Sequence, residues 1–106
     1  MIVFTIILSV LYGLPGVAKL AGAKPLAEQF DEFGLGRQVM RVVGALEVAA
    51  AIGLYIDALD TFAALGMIAM MIGALISHRR VGHAAQDSMP AAVVLLASIA
   101  FVIASI

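Results

Sequence analysis

Four apolar runs, at about residues 2–21, 37–56, 61–78 and 90–106, take up most of the chain and leave room only for short connections. A helix of about 20 residues rises roughly 30 Å, enough to cross the hydrocarbon core of a bilayer. Composition decides whether such runs are spans or the core of a soluble domain. Of 106 residues, 64% are hydrophobic and 12% charged, with a mean hydropathy of +1.16, whereas an ordinary soluble domain carries about 25% charged residues. Six lysines and arginines and seven acidic residues, gathered mostly near the connections, cannot cover this chain with an aqueous surface. Lipid must form the shell. The expected fold is all-α: an integral membrane four-helix bundle, one domain over residues 1–106, in contact with the lipid bilayer.

Charge and cysteine content remove several function classes. A net charge of -1 leaves no basic footprint for nucleic acid. The absence of cysteine excludes thiol–disulfide chemistry and thiolate metal sites. Ala21-Gly22-Ala23 resembles a signal-peptide cleavage site, but no basic region precedes the apolar run. The first run is therefore read as a retained span.

Pro15 interrupts that span, since it cannot donate to the Leu11 carbonyl, and a kink is expected there. Lys19 follows one turn later, able to snorkel to the interface or to face inward. A short helix is expected over about residues 25–33, with Pro25 at its first position and Gly34 as its stop. Leu26, Phe30 and Phe33 recur at helical spacing opposite Glu28, Asp31 and Glu32, the pattern of a helix lying in the headgroup region. Phe30 and Phe33 would then be interfacial residues or a lid over the bundle mouth.

Glu47 is the residue that most needs an explanation. It lies ten residues past Arg37, so about 15 Å down the helix axis, near the midplane. A lone carboxylate there costs several kcal/mol and must be protonated, paired or turned to a wet cavity. Gly44 and Ala51 flank it at helical spacing, which favours burial between helices. Ala45, Ala49 and Gly53 form a small-residue stripe on the same segment that would let a neighbouring helix approach closely. The turn Asp57–Asp60 is short, making the second and third spans antiparallel neighbours. In the third span Gly66, Ala69, Gly73 and Ser77 share one stripe, and Met67, Met71, Ala74 and His78 the next. The methionines read as adaptable packing. Ala97, Ala100 and Ala104 give the last span a small face. Such stripes serve packing within one bundle or between copies, so a homo-oligomer is compatible with them.

All six basic residues fall in or near the first and third connections. By the positive-inside rule those connections are cytoplasmic and both termini outside. Arg37, Arg41, Arg79 and Arg80 read as topology anchors and contacts to anionic headgroups. In this arrangement Lys19, Glu47 and His78 share one half of the bilayer and can converge. An ammonium beside a carboxylate keeps both ionised in low dielectric, and a histidine at the margin can pass a proton near neutral pH. His78 and His83 are five apart, a poor spacing for two ligands on one helical face, and no further ligands for zinc or haem are evident. No metal is expected. No phosphate loop or nucleophile elbow appears, so no catalytic residue is assigned.

Gly16-Val-Ala-Lys19-Leu-Ala-Gly22, Phe30 followed by Gly34-Leu35, Gly44-Ala-Leu-Glu47 with Gly53-Leu54, and Gly73-Ala-Leu-Ile-Ser-His78 resemble successive signature blocks of DoxX-like membrane proteins. Gly36 departs from the pattern, standing where many members carry a proline. The resemblance implies a compact four-helix bundle in the cytoplasmic membrane. Some relatives are linked to quinone-coupled sulfur oxidation and others to membrane-associated oxidoreductase assemblies. Lys19, Glu47 and His78 match the blocks and carry over as site candidates without a catalytic role.

Three functions follow as expectations. The first is an accessory or ligand-binding subunit of a membrane oxidoreductase, holding a quinone or another lipid near the Lys19, Glu47 and His78 cluster. The second is a structural subunit whose Lys19–Glu47 pair fixes helix register and whose surface binds a partner. The third is a small proton-coupled transporter built on one membrane carboxylate. The absence of tryptophan and the nearness of Lys19 provide poorly for a cationic cargo.

Overall fold

The computed structural model describes residues 2–83 and 85–105. Along the chain run α1 (Ile2–Leu20), α2 (Lys24–Glu32), α3 (Gly36–Gly53), α4 (Asp60–Arg80), a single 3-10 turn (Ala85–Ser88) and α5 (Met89–Ser105), with no strand among the described residues. Four long helices pack side by side, and the short α2 lies at one end. The bundle measures 37 × 26 × 18 Å, so its long axis matches a bilayer with its interfaces.

α1 and α4 are each long and apolar enough to cross a membrane on their own, and α5 is a shorter apolar helix. α3 carries Arg37, Arg41 and Glu47 and depends on its neighbours. Its arginines sit in the first two turns, and its glutamate is paired inside the bundle. Around the outside, Ile6, Val10, Leu14 and Val17 of α1, Phe62, Leu65, Ile72 and Ile76 of α4, and Leu96 and Ile103 of α5 are exposed. An apolar belt of this extent belongs against acyl chains.

α3 was expected to reach Ile56 but stops at Gly53. There the bonding tightens to Tyr55 N–H on the Ile52 carbonyl and Ile56 N–H on the Gly53 carbonyl, both at 3.1 Å, the 3-10 pattern that closes a helix. α1 runs on through Pro15. Gly36 has φ +77°, out of reach for a proline fixed near −65°, so a proline at this position would force another entry into α3.

Burial selects a face on each helix. α3 turns Met40, Gly44, Glu47, Ala50 and Ala51 inward. Of the stripe read from the sequence, Ala45 and Ala49 are exposed and only Gly53 is buried, while the close approach to α1 is made by Gly44. α4 buries Ala64, Met67, Met71 and His78, while Gly66, Ala69 and Gly73 are exposed. The methionines are core packing. α5 buries Ala91, Val94, Ser98 and Phe101 and leaves Ala100 and Ala104 outside. Both helices bury a mixture of small and large residues, with Met67, Met71 and Phe101 supplying most of the buried bulk, and the small-residue stripes read from the sequence lie mainly on the lipid side.

The tightest crossing is that of α1 on α3. A methyl added to Gly44 would lie 2.7 Å from the Gly16 carbonyl and 2.8 Å from Lys19 Cβ, and one on Gly16 would lie 2.9 Å from the Gly44 carbonyl. The two backbones touch, as in small-residue crossings of membrane helices. α5 is fixed to α1 by Tyr12 Oη on Ser98 Oγ at 2.5 Å. Ser98 has one hydroxyl proton and donates it to the Val94 carbonyl at 2.7 Å, so Tyr12 is the donor in the buried pair.

Candidate functional site

The crossing of Gly16 and Gly44 determines where the charges meet. One turn beyond it on each helix, Lys19 Nζ donates to Glu47 Oε1 at 2.5 Å, with the side chains only 12% and 2% exposed. A side chain on either glycine would clash with the facing helix and push α1 and α3 apart at this point. Glu47 Oε2 has no partner among the described residues. The carboxylate thus satisfies one oxygen on the lysine and keeps the other as an acceptor.

Beside this pair lies a cavity of about 410 Å³, within the range of small-molecule sites. Its wall is mostly apolar, with Pro15, Phe30, Phe33, Val43, Met70 and Met71 among the lining residues, and Lys19, Glu47 and His78 are among its polar groups, with Gln29, Ser77 and Asp87. Leu35 and Gly73 also border it and are exposed, so the cavity opens on the outer surface of the bundle.

α2 forms the roof. Ala27 and Phe30 pack on Met40 of α3, and Leu26, Phe30 and Phe33 line the cavity, while Glu28, Asp31 and Glu32 are exposed. The sequence pattern left two readings, an apolar face in the headgroup region or a lid over the bundle mouth. The observed apolar face packs on the bundle and completes the cavity. Its far end is tied down by Arg80, whose guanidinium donates to the Phe33 carbonyl at 2.7 Å. Arg37, Arg41, Arg79 and Arg80 are all exposed, and Arg80 is a clasp on α2 as well as a basic residue at this end.

A spacing of five separates His78 from His83 only along one continuous helix. α4 ends at Arg80, and Gly82 takes φ +76°, a conformation that costs glycine nothing. His83 N–H then bonds the His78 carbonyl at 3.0 Å and Gly82 N–H the Arg79 carbonyl at 3.1 Å, the paired bonds of a Schellman motif. The reversal folds His83 back over the last turn, and the two Nδ1 atoms meet at 2.8 Å. On its other side His83 Nε2 contacts Glu32 Oε2 at 2.9 Å. Phe33 packs edge-on against His78 with ring centroids 5.1 Å apart. Two residues missed by spacing, His83 and Glu32, so join the site. The glycine after a basic run, Arg79-Arg80-Val-Gly82, was the available signal, since it marks a helix stop. Among the described residues no three histidine or acidic side chains are gathered as a metal site.

The model of the DoxX-like family matches residues 3–102, which include Lys19, Glu32, Glu47, His78 and His83. The chain belongs to the DoxX-like family. Among curated proteins and among solved structures, nothing matches it. As a DoxX-like protein with exposed apolar helices it is a membrane protein. The blocks at Lys19, Glu47 and His78 lie on α1, α3 and α4, and all three side chains line one cavity.

Proposed function

We propose that this protein binds a lipophilic, quinone-like molecule in the cavity under α2 and serves as an accessory subunit of a membrane-associated oxidoreductase. The observation that carries the reading is the pairing of an apolar wall with two open polar atoms. Glu47 Oε2 and His78 Nε2 have no hydrogen-bond partner among the described residues, and both residues line the cavity. No buried side-chain polar atom lacks a partner among the described residues, so these two atoms are open on the cavity side, where a guest can supply the hydrogen bond. A ring with carbonyl or hydroxyl groups at its edges and a greasy tail meets both halves of that wall. The opening between exposed apolar residues admits such a guest from the bilayer.

Titration of the purified protein in lipid nanodiscs with a short-chain ubiquinone analogue and with menadione tests this. Saturable binding is expected, and Glu47→Gln weakens it by about tenfold, the loss of one charge-assisted hydrogen bond. Equal affinity in the variant would remove Glu47 from the site, and no binding of either quinone would remove the reading. The membrane is the cytoplasmic membrane, with the end carrying α2, Arg37, Arg41, Arg79 and Arg80 on the cytoplasmic side and both termini outside. The one-sided placement of the basic residues supports that orientation.

A further inference from the structure

We infer that Glu32, His83 and His78 form a proton path between water and the cavity. The three side chains are hydrogen-bonded in series, at 2.9 Å and then 2.8 Å. Their exposure falls in the same order: 57% for the Glu32 side chain, 17% for that of His83, and 6% for His78, which lines the cavity. One end is wet and the other faces the proposed guest. This inference deepens the ligand-site reading and rests on it for the molecule that gives or takes the proton.

The bonding fixes the tautomers. A carboxylate only accepts, so His83 Nε2 carries a hydrogen toward Glu32. In a neutral His83 the Nδ1 is then a lone pair, and His78 Nδ1–H donates to it. His78 Nε2 is left as a base without a partner among the described residues.

A proton released by a guest bonds to His78 Nε2. The Nδ1 proton of His78 moves to His83 Nδ1, and the Nε2 proton of His83 moves to Glu32, whose carboxyl releases it to water. One proton has left the cavity, no electron has moved, and Glu32 ends as the carboxylate it began as. Both rings now hold the opposite tautomer, which is the arrangement that carries the next proton inward. Such a chain suits a guest that alternately loses and gains protons, as a quinol and quinone pair does. The other charged groups near the pair are Arg80, held on the Phe33 carbonyl, the neighbouring Arg79, Asp87 beside the cavity mouth, and Lys19 with Glu47 across the cavity.

The test uses the whole chain in nanodiscs, labelled with nitrogen-15 histidine. His78 and His83 are its only histidines. The expected spectrum shows scalar coupling between the two Nδ1 nuclei across their hydrogen bond. The ring N–H of His78 is expected to exchange with water quickly in the wild type, about tenfold or more slowly in His83→Gln, and at an intermediate rate in Glu32→Gln. Glu32 is exposed, so its variant leaves the core packing untouched. Equal exchange in all three proteins, faster exchange in His83→Gln, or no coupling between the rings would overturn the path. None of these rates needs a bound guest. A failure to bind quinone would therefore sink the ligand reading and leave the path to be decided by the exchange data.

Discussion

A carboxylate two-thirds of the way along α3 is tolerable only because an ammonium meets it, and this makes Lys19 and Glu47 unequal targets for mutation. Lys19→Met leaves the buried acid alone and is expected to cost about 3–5 kcal/mol, the usual result of removing one member of a buried pair. The Lys19→Met, Glu47→Leu double variant should recover most of that loss, because two apolar side chains need no partner. Thermal unfolding of the three proteins in nanodiscs measures both effects. A double variant as unstable as the single one would mean that the pair's charges are not what stabilises the crossing. Glu47 was conspicuous in the sequence because a charge in a spanning run has few permitted environments. His83 and Glu32 were not, since their place depends on one glycine dihedral and on the docking of α2, neither of which spacing along a continuous helix describes.

Helix against helix, the glycine contact and the tyrosine contact predict different behaviour. Gly44→Ala drives a methyl to 2.7 Å from the Gly16 carbonyl, a backbone atom that cannot step aside. It is expected to destabilise by about 1–3 kcal/mol, as overpacking does, and to separate Lys19 from Glu47. Tyr12→Phe removes a donor but leaves Ser98 bonded to the Val94 carbonyl, so its expected cost is about 1 kcal/mol. Ser98→Ala strands the buried tyrosine hydroxyl and should cost more. Comparing the two midpoints of thermal unfolding checks the direction assigned to that hydrogen bond. The helices were largely legible as apolar runs, and their facing surfaces only in part. The stripe Ala45-Ala49 was visible as a pattern, yet the contact belongs to Gly44, because a stripe of small residues says that close approach is permitted on a face and not which face is used.

For the molecule as a whole, Ile2, Asp57 and Ser105 border one shallow depression, so both described chain ends and the α3–α4 turn lie together, away from α2. Lacking cysteine, the protein accepts single reporters without further engineering. With the orientation proposed above, Ala58→Cys is expected to react with a membrane-impermeant maleimide in intact cells, and Glu28→Cys only after lysis. The opposite pattern would invert the orientation. Class and membrane environment were legible from hydropathy alone. The roof was legible only as one of two readings, because an amphipathic nine-residue helix reads the same whether its apolar face meets lipid or protein.

The backbone contact of α1 with α3 has one more effect. Where main chain rests on main chain there is no rotamer to adjust, so that side of the cavity is a stiff jaw. Any change of shape demanded by a guest falls on the opposite jaw, where Met70 and Met71 offer unbranched thioether arms that re-pack at little cost. Tolerance for guests of differing outline should therefore reside in two methionines, and replacing them with branched aliphatic residues would narrow what the cavity accepts without disturbing its grip.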